Sequence, residues 1–463
     1  MAMHTSIPSR RHVMRSLLGA SLLMPGMLSE MLAAAPIAGT AALDDPMAPK
    51  QPHFKPKAKR VIFLYMTGGV SQVDSFDPKP KLTLDHGRKY KKFFLKRSAL
   101  AAKPHGQCGT EVSELFPHVA KCVDDLCVIR SMKNDDNDHF GATMGIHAGS
   151  TNFSRPSIGS WVSYGLGTFN RNLPSFIALA PYLPYAGGQV WGADFLPATH
   201  QGTRIMPGGE PIPNMTRRTD PAELQSAELA LLAEFNRRHL KGREADSSLA
   251  GRIRSLETAF GMQQTAPEVF DLSSESDATH KLYGLERGST QGFAWQCLIA
   301  RRLAERGVRF IELIDSGSDL NKNWDAHFDI QTHIPLARNV DQPIAALLRD
   351  LKSRGMLDDT LVVWTTEFGR TPYNEKADGK GREHHARVFS SWLAGGGVKP
   401  GITYGESDEY GIEVAKDMVH FHDFHATIMH LLGMDHTRLT YRHAGRDFRL
   451  TDVHGTVIDK ILA

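Results

Sequence analysis

Short, uninterrupted apolar runs recur along the chain, each bounded by polar or glycine-containing segments. The first covers residues 61–66 and ends in Thr67-Gly68-Gly69. Runs of this length that end at glycine are typical of buried parallel strands that open into loops. The same pattern predicts further strands at residues 123–129, 174–179, 308–314, 361–365 and 388–393.

Segments with the apolar spacing of helices lie between these runs. The helix predicted from Asp138 to His147 ends at Gly149. In the helix predicted over residues 344–352, Asp341 takes the N-cap position and Pro343 lies in the first turn. Other predicted helices cover residues 222–240, 249–262, 293–306 and 421–432.

This alternation of helices and strands predicts an α/β fold of three layers, α/β/α, around a mostly parallel central sheet. We expect one such domain over residues 60–463. Residues 181–220 are dense in proline and glycine, and we expect an irregular excursion there. Ligands of such folds bind beyond the carboxyl ends of the strands, which directs attention to the residues that follow each strand.

The N-terminus has the order of segments found in an export signal. Arg10 and Arg11 precede an apolar stretch, and Ala33-Ala34-Ala35 fits a small-residue cleavage site. The arginine pair predicts a twin-arginine signal peptide over residues 1–35, followed by a flexible lead-in over residues 36–59. The mature protein is therefore expected in the periplasm or outside the cell.

Charge and composition argue against two classes of protein, those that bind nucleic acids and those that span a membrane. The formal charge is +3, and the leader carries +2 of it, so the mature chain is close to neutral. A near-neutral chain argues against nucleic-acid binding. No apolar run beyond the leader is long enough to cross a bilayer, so we expect no membrane span in the mature protein. The four cysteines lack metal or redox spacing and are expected to be buried free thiols.

Metal-binding residue types lie at three successive predicted strand ends, two clusters after a strand and the third immediately before the strand at 388–393. If the fold brings these strand ends together, their carboxylates and imidazoles form a site suited to zinc, manganese or iron. Each pair alone also fits a solvated loop, and Arg370 either clamps an oxyanion or pairs with a neighbouring glutamate. The candidate ligands are Asp325, His327, Glu367, His384 and His385.

A fourth cluster, residues 134–139, precedes the helix predicted from Asp138. Here His139 is a candidate nucleophile, acid or metal ligand at a helix start, where anions are favoured. The alternative is a solvated acidic loop with Asp138 as the N-cap. The histidine-rich segment 420–432 is expected to be a structural helix.

Several stretches together resemble the bacterial domain-of-unknown-function family 1501, a sulfatase-like family. The resemblance extends from about residue 58 to the C-terminus. It is carried by RVIFLYMTGGVSQVDSFDP, DHFGATMGIHAGS, WDAHFD, DDTLVVWTTEFGRTP, GREHH and HDFHATIMHLLGMD. That family is in turn similar to the superfamily of alkaline phosphatases, cofactor-independent phosphoglycerate mutases and sulfatases.

The superfamily resemblance implies roles for particular residues. It makes Glu367 the metal carboxylate, with Phe368 in place of a second ligand, and it puts His139 near the nucleophile. The first strand departs from the pattern, because it lacks a terminal aspartate; the nearest carboxylate, Asp74, is a further candidate metal ligand. Cys127-Val128-Ile129-Arg130 does not fit the formylglycine motif, so a formylglycine sulfatase is not expected.

The resemblance implies an exported, metal-dependent hydrolase. The substrate would be a small anionic phosphate or sulfate ester, or a sulfated or phosphorylated polymer. In this hypothesis His139 attacks or holds the attacking water, and Arg370 stabilises the anionic transition state. The alternative is a non-catalytic binding or assembly protein, with residues 181–220 as a partner surface. An isomerase or transferase on the same scaffold is a third hypothesis.

Overall fold

The computed structural model describes residues 45–208, 211–212, 222–243, 246–318 and 323–463. Residues 46–463 form one compact unit. The predicted leader, residues 1–35, lies outside the described residues. The stretch from Pro46 to Lys59 belongs to the compact unit. Within it, the N–H groups of Lys57 and Ala58 both donate to the carbonyl of Leu431, each at 2.9 Å.

A nine-stranded sheet runs through the unit. Its spatial order is β8-β2-β7-β6-β1-β5-β3-β4, and β9 also pairs with β2. Six strand pairs are parallel, and the two that involve β7 are antiparallel, so the predicted, mostly parallel sheet is confirmed. The strands are β1 (Arg60–Met66), β2 (Leu126–Lys133), β3 (Phe176–Leu179), β4 (Thr203–Ile205), β5 (Phe310–Asp315), β6 (Thr360–Thr365), β7 (Phe389–Ala394), β8 (Ile402–Tyr404) and β9 (Val419–His420).

Helices cover both faces of the sheet, as expected for a three-layer fold. Because side chains alternate along a strand, β1 directs Ile62 and Leu64 into one core and Phe63 and Tyr65 into the other. Helices α5 to α8 pack on the first face, and α2, α3 and α9 pack on the second. The helices are α1 (Pro80–Leu84), α2 (His139–Ala148), α3 (Ile158–Leu166), α4 (Ala222–Leu240), α5 (Ser247–Phe270), α6 (Asp277–Tyr283), α7 (Gly292–Glu305), α8 (His333–Ser353) and α9 (Phe421–Leu431).

Short two- and three-stranded ladders lie outside the main sheet. No helix in the described part of the chain is both long enough and apolar enough to span a bilayer. All four cysteines are free thiols, and Cys108 is exposed whereas the other three are buried. The ladders pair Lys89–Tyr90 with Phe93–Leu95 and Phe93–Leu95 with Tyr373–Asn374, Ala102–His105 with Thr110–Ser113, Gly369–Arg370 with His384–His385, Glu406–Ser407 with Val414–Lys416, and Tyr441–His443 with Arg446–Phe448.

The direction of the strands decides which loops meet. The carboxyl ends of β1, β2, β5 and β6 lie at one edge of the sheet, since these strands all run the same way. Because β7 runs antiparallel to its neighbours, the residues that precede it reach the same edge. The other four strands run in the same direction, so loops from the carboxyl ends of eight strands meet there with the segment that enters β7.

The structure corrects two local predictions. Residues 119–125 form a 3-10 helix, and the strand predicted over 123–129 is β2, which begins at Leu126. Helix α8 begins at His333, so Pro343 lies inside it. Asp341 is consequently not an N-cap of α8. Its buried carboxylate accepts the main-chain N–H groups of His118 at 2.7 Å and Val119 at 2.8 Å.

We expect Asp341→Ala to lower the free energy of unfolding by about 1–3 kcal/mol, because two N–H groups at the start of the 3-10 helix lose a charged acceptor. Urea denaturation measures the change. Asp358→Ala, at an exposed aspartate, is the matched control and should stay within about 0.5 kcal/mol of the parent protein. Equal unfolding curves for the two variants would contradict the structural role of Asp341.

Candidate metal centre

Four side chains bring one donor atom each to the carboxyl edge of the sheet. They are His139, Asp325, His327 and His384, and the donor atoms lie within 4.8 Å of one another. Asp325 Oδ1 is 2.9 Å from His327 Nε2 and 3.3 Å from the Nε2 atoms of His139 and His384. The Nε2 atoms of His327 and His384 are 3.0 Å apart. We refer to these residues as the His–Asp cluster.

Asp325 and His327 are carried by the loop that follows β5. The loop is anchored by Trp324, which is buried and whose indole N–H donates to Asp315 Oδ2 at 2.8 Å. The main-chain N–H of Trp324 donates to the carbonyl of Thr67 at 3.0 Å, just beyond β1. Both contacts fix the loop against the sheet one residue before the first donor.

The other two donors are positioned by a ladder and by a helix start. His384 lies in the short ladder that precedes β7, where it pairs with Arg370. His139 is the first residue of α2, and the side chain of Asp138 caps that helix by accepting the N–H of Phe140 at 2.9 Å. The expected N-cap role of Asp138 is thus present together with the placement of His139 in the cluster.

Each histidine of the cluster is held by its outer ring nitrogen. An acceptor faces every Nδ1 atom, so Nδ1 carries the hydrogen of the neutral ring and the Nε2 lone pair points into the cluster. The acceptors are Glu367 Oε1 at 2.8 Å from His139, Glu383 Oε2 at 2.6 Å from His327, and the main-chain oxygen of Asn137 at 2.6 Å from His384.

This donor set fits a divalent transition metal. Three ring nitrogens and a carboxylate oxygen converge as acceptors, and His139 Nε2 is buried without a hydrogen-bond partner. Donor separations of 2.9–3.3 Å suit ligands whose bonds to one ion are about 2 Å long. Zinc, manganese and iron accept such mixed nitrogen and oxygen sets.

Charges in the cluster are strongly coupled. Burial by itself raises the pKa of Asp325, but the close imidazoles of His139 and His384 and the charge of Arg370 hold it far below the usual range. Burial by itself lowers the pKa of His139, and the nearby carboxylates of Asp325 and Glu367 outweigh that effect and raise it. Asp325 is therefore a carboxylate in this environment.

Arg370 is buried beside the cluster and is engaged entirely with the protein. Its guanidinium donates to Asp325 Oδ1 at 2.5 Å and to the carbonyl oxygens of Gly68, Gly69 and Arg382. The side chain expected to stabilise a transition state therefore orients the carboxylate donor of the cluster.

Glu367, the metal carboxylate implied by the resemblance, lies behind His139. Its Oε1 atom accepts from His139 Nδ1 and from the N–H of Gly68 at 2.7 Å, and its Oε2 atom accepts from the Tyr65 hydroxyl at 3.1 Å. The ring of Phe368 packs against His139 with centroids 4.9 Å apart. Glu367 thus orients a donor and is not one of the four.

Two further candidate ligands lie away from the cluster. Asp74 accepts from the Arg382 guanidinium at 2.7 Å and from the Ser71 hydroxyl at 2.5 Å. His385 is buried with its Nε2 atom 2.8 Å from the carbonyl of Ile412, and burial lowers its pKa to about 4. Both side chains are used in packing the surrounding loops.

Sequence reasoning missed three supports of the cluster. Glu383 and the carbonyl of Asn137 hold two of the histidines, and Tyr185 stacks on His139 with ring centroids 3.9 Å apart and planes within 3°. Glu383 is adjacent in sequence to the predicted ligand His384, and this adjacency could have identified it. Tyr185 lies in the proline- and glycine-rich residues 181–220, and the sequence gave no signal for its contact with His139.

The chain belongs to the family described as "Protein of unknown function (DUF1501)", which matches residues 58–462. The predicted family membership is confirmed. No curated protein matches the sequence significantly.

Several solved structures share parts of the fold at low identity. The lipoteichoic acid synthase LtaP from Listeria monocytogenes is 8% identical, covers 88% of this chain and 79% of its own, and gives a TM-score of 0.37. The alkaline phosphatase from the Antarctic bacterium TAB5 is 12% identical, with 83% and 99% covered and a TM-score of 0.33. The PsFucS1 sulfatase from Pseudoalteromonas sp. is 11% identical, with 82% and 68% covered and a TM-score of 0.35.

The adjacent histidines 384 and 385 offer a matched test of the cluster. We expect His384→Gln to weaken Zn²⁺ binding by about tenfold or more, because a donor of the cluster is removed. His385→Gln should bind Zn²⁺ like the parent protein, since a glutamine amide can still donate to the carbonyl of Ile412. Competition with a chromophoric chelator gives both affinities. Equal losses in the two variants would refute the assignment of the donors.

Proposed function

We propose that this protein is an exported, metal-dependent hydrolase of phosphate or sulfate esters. One observation carries the proposal. Three imidazole Nε2 atoms and one carboxylate oxygen converge, and each imidazole is fixed from behind by an acceptor on its Nδ1 atom. Imidazoles oriented from behind in this way are typical of metal centres.

The four residues of the His–Asp cluster would hold the ion. A bound ion of this kind polarises an ester oxygen and lowers the pKa of a bound water. Arg370 keeps Asp325 ionised and oriented, and Glu367 keeps the lone pair of His139 Nε2 directed inward. The rings of Tyr185 and Phe368 exclude water from the faces of His139.

Substrate would approach from the side on which the cluster is open. His327 and His384 are partly exposed, with 29% and 22% of their side-chain surfaces accessible, whereas His139 is buried. Because the Nε2 atom of His139 faces the other donors, we propose that His139 binds the ion and that water is the attacking group. The water oxygen forms the bond to phosphorus or sulfur, the bond to the ester oxygen breaks, and a proton given up by the water leaves the products as an alcohol and inorganic phosphate or sulfate.

A second candidate function is a metal-binding protein without catalysis, in binding or assembly. The observation that favours it is the engagement of Arg370, whose guanidinium is committed to Asp325 and to three main-chain carbonyls. In that case the cluster stabilises the loops at the edge of the sheet and catalyses no reaction.

The full chain, expressed with its own export signal and purified from the periplasm, tests both candidates. We expect about one equivalent of zinc, manganese or iron and hydrolysis of an aryl phosphate or an aryl sulfate. His327→Ala should abolish both, because a donor is lost. Bound metal without turnover of either ester would favour the binding protein. A folded protein that takes up no metal would overturn the proposal.

Glu367→Gln separates orientation of a ligand from ligation itself. Glutamine occupies nearly the same volume but weakens the acceptor at His139 Nδ1, so we expect metal affinity to fall by about 10–100-fold without loss of the folded state. Thermal unfolding and a metal titration measure the two effects. Glu114→Gln, at an exposed glutamate, is the control and should leave both unchanged. An unchanged metal affinity in Glu367→Gln would remove Glu367 from the centre.

The export part of the proposal rests on the arginine pair at positions 10 and 11. We expect Arg10→Lys together with Arg11→Lys to retain the protein in the cytoplasm, because the twin-arginine route reads the pair. Cell fractionation and immunoblotting detect the change. Periplasmic protein from the double variant would contradict this route.

A further inference from the structure

A cavity of about 300 Å³ lies next to the His–Asp cluster, and none of the four cluster residues lines it. It is lined by His86 and by three segments of the chain, residues 96–99, residues 329–331, and residues 377–380 with Arg382. The last two run directly from cluster loops. Asp329 is two residues beyond His327, and Arg382 is two residues before His384.

The cavity and the cluster are packed against each other through the main chain. Arg382 N–H donates to the carbonyl of Ala326 at 3.0 Å, and Ile330 N–H donates to the carbonyl of Lys380 at 3.1 Å. A side chain at Gly381 would begin only 1.8 Å from the carbonyl oxygen of His327. The two loops therefore share one wall, with the cluster and the cavity on either side of it.

Basic side chains predominate in the cavity. Lys96, Arg97, Lys380 and Arg382 line it, against two acidic residues, Asp329 and Asp378. Arg382 is neutralised by Asp74. The other three basic residues form no ion pair with any described carboxylate, since none of the salt bridges of the described chain includes them.

Lys96 is the most informative of these residues. It is only 7% exposed, and its ammonium donates to a single protein acceptor, the carbonyl of Ala377 at 2.6 Å. The carboxylate of Asp378, which lines the same cavity, acts on this ammonium through space without forming a salt bridge. A largely buried ammonium is costly to keep unless charges and acceptors compensate it. An anion in the cavity would add a second negative charge and accept the remaining N–H groups.

An exposed aromatic residue lies between the cluster and the cavity in the sequence. Phe328 stands between His327 and Asp329 and is 94% exposed. Single exposed apolar residues are ordinary on protein surfaces, so its position is what matters. The C–H faces of a sugar ring pack against aromatic faces, and one sugar unit in such a position would link the cluster to the cavity.

We propose that this cavity binds a second anionic group of the substrate, which is a carbohydrate chain bearing sulfate or phosphate groups on more than one unit. The inference rests on the proposed function, in which the scissile ester lies at the His–Asp cluster. Arg97, Lys380 and Lys96 hold the second group, and Phe328 supports the sugar between the two. A monoester without the second charge binds more weakly.

The test measures binding to the full, metal-loaded chain by calorimetry. The probes are a tetrasaccharide sulfated on every unit, its singly sulfated counterpart, and the corresponding pair of phosphorylated tetrasaccharides. We expect the multiply charged member of one pair to bind about tenfold or more tightly than its partner. The pair that shows the preference identifies sulfate or phosphate as the recognised group.

Arg97→Gln with Lys380→Gln removes two exposed charges from the cavity and should abolish this preference. Lys96 is left in place, because its burial makes substitution there a risk to folding. The control removes two exposed lysines elsewhere, Lys103→Gln with Lys121→Gln, and should keep the preference. Metal content and unfolding temperature show whether the cavity variant is intact.

The outcomes separate this proposal from the proposed function. If the parent protein shows no preference in either pair, or if the cavity variant retains it, the cavity is not the second anion site. That result does not count against the metal content and the aryl-ester hydrolysis that the proposed function predicts. If the metal-loaded parent protein turns over neither aryl ester but the preference is present and lost in the cavity variant, the cavity proposal stands and the hydrolase fails.

Discussion

The contact between Arg370 and Asp325 is the interaction on which the site depends. Arg370 is fully buried, and a buried guanidinium is tolerated only when every donor group finds an acceptor. Those acceptors come from the loop after β1, from Asp325 after β5, and from Arg382 before β7. The need to satisfy one cation therefore fixes the relative positions of three loops, and the Asp325 Oδ1 atom that accepts from Arg370 is the one that faces the three imidazoles.

The antiparallel strand β7 explains how a ladder supplies one of those imidazoles. In an all-parallel sheet each strand contributes only the loop at its carboxyl end to this edge. Because β7 runs the other way, the short ladder in front of it also reaches the edge, and it pairs His384 with Arg370. The donor and the residue that orients the carboxylate are thus fixed by the same pair of strands.

Much of the fold followed from the pattern of apolar residues, because buried strands and helical faces leave periodic signals. The positions of Asp325 and His327 followed from the rule that ligands gather at the carboxyl ends of strands, and that of His384 from its place directly before the next predicted strand. The choice between His384 and His385 did not, since adjacent residues of a ladder point to opposite sides and sequence alone does not say which side is inside. The sequence also did not show that Asp74 pairs with Arg382, which lies about 300 positions away in the chain. Pro343 was misleading because α8 begins ten residues earlier, and tertiary packing keeps the helix intact through the proline.

The two glycines after β1 let the main chain there lie close to the loop that carries Asp325 and to the side chains of Phe368 and Arg370. Gly68 and Gly69 have positive φ angles of 114° and 85°, a region that favours glycine. A side chain at Gly68 would begin 2.7 Å from the main-chain nitrogen of Trp324 and 2.8 Å from that of Asp325. No side chain at position 68 can therefore be accommodated unless the loop that carries Asp325 moves. This strand end supplies the site with main-chain groups instead, since the Gly68 N–H donates to Glu367 and the Gly68 carbonyl accepts from Arg370.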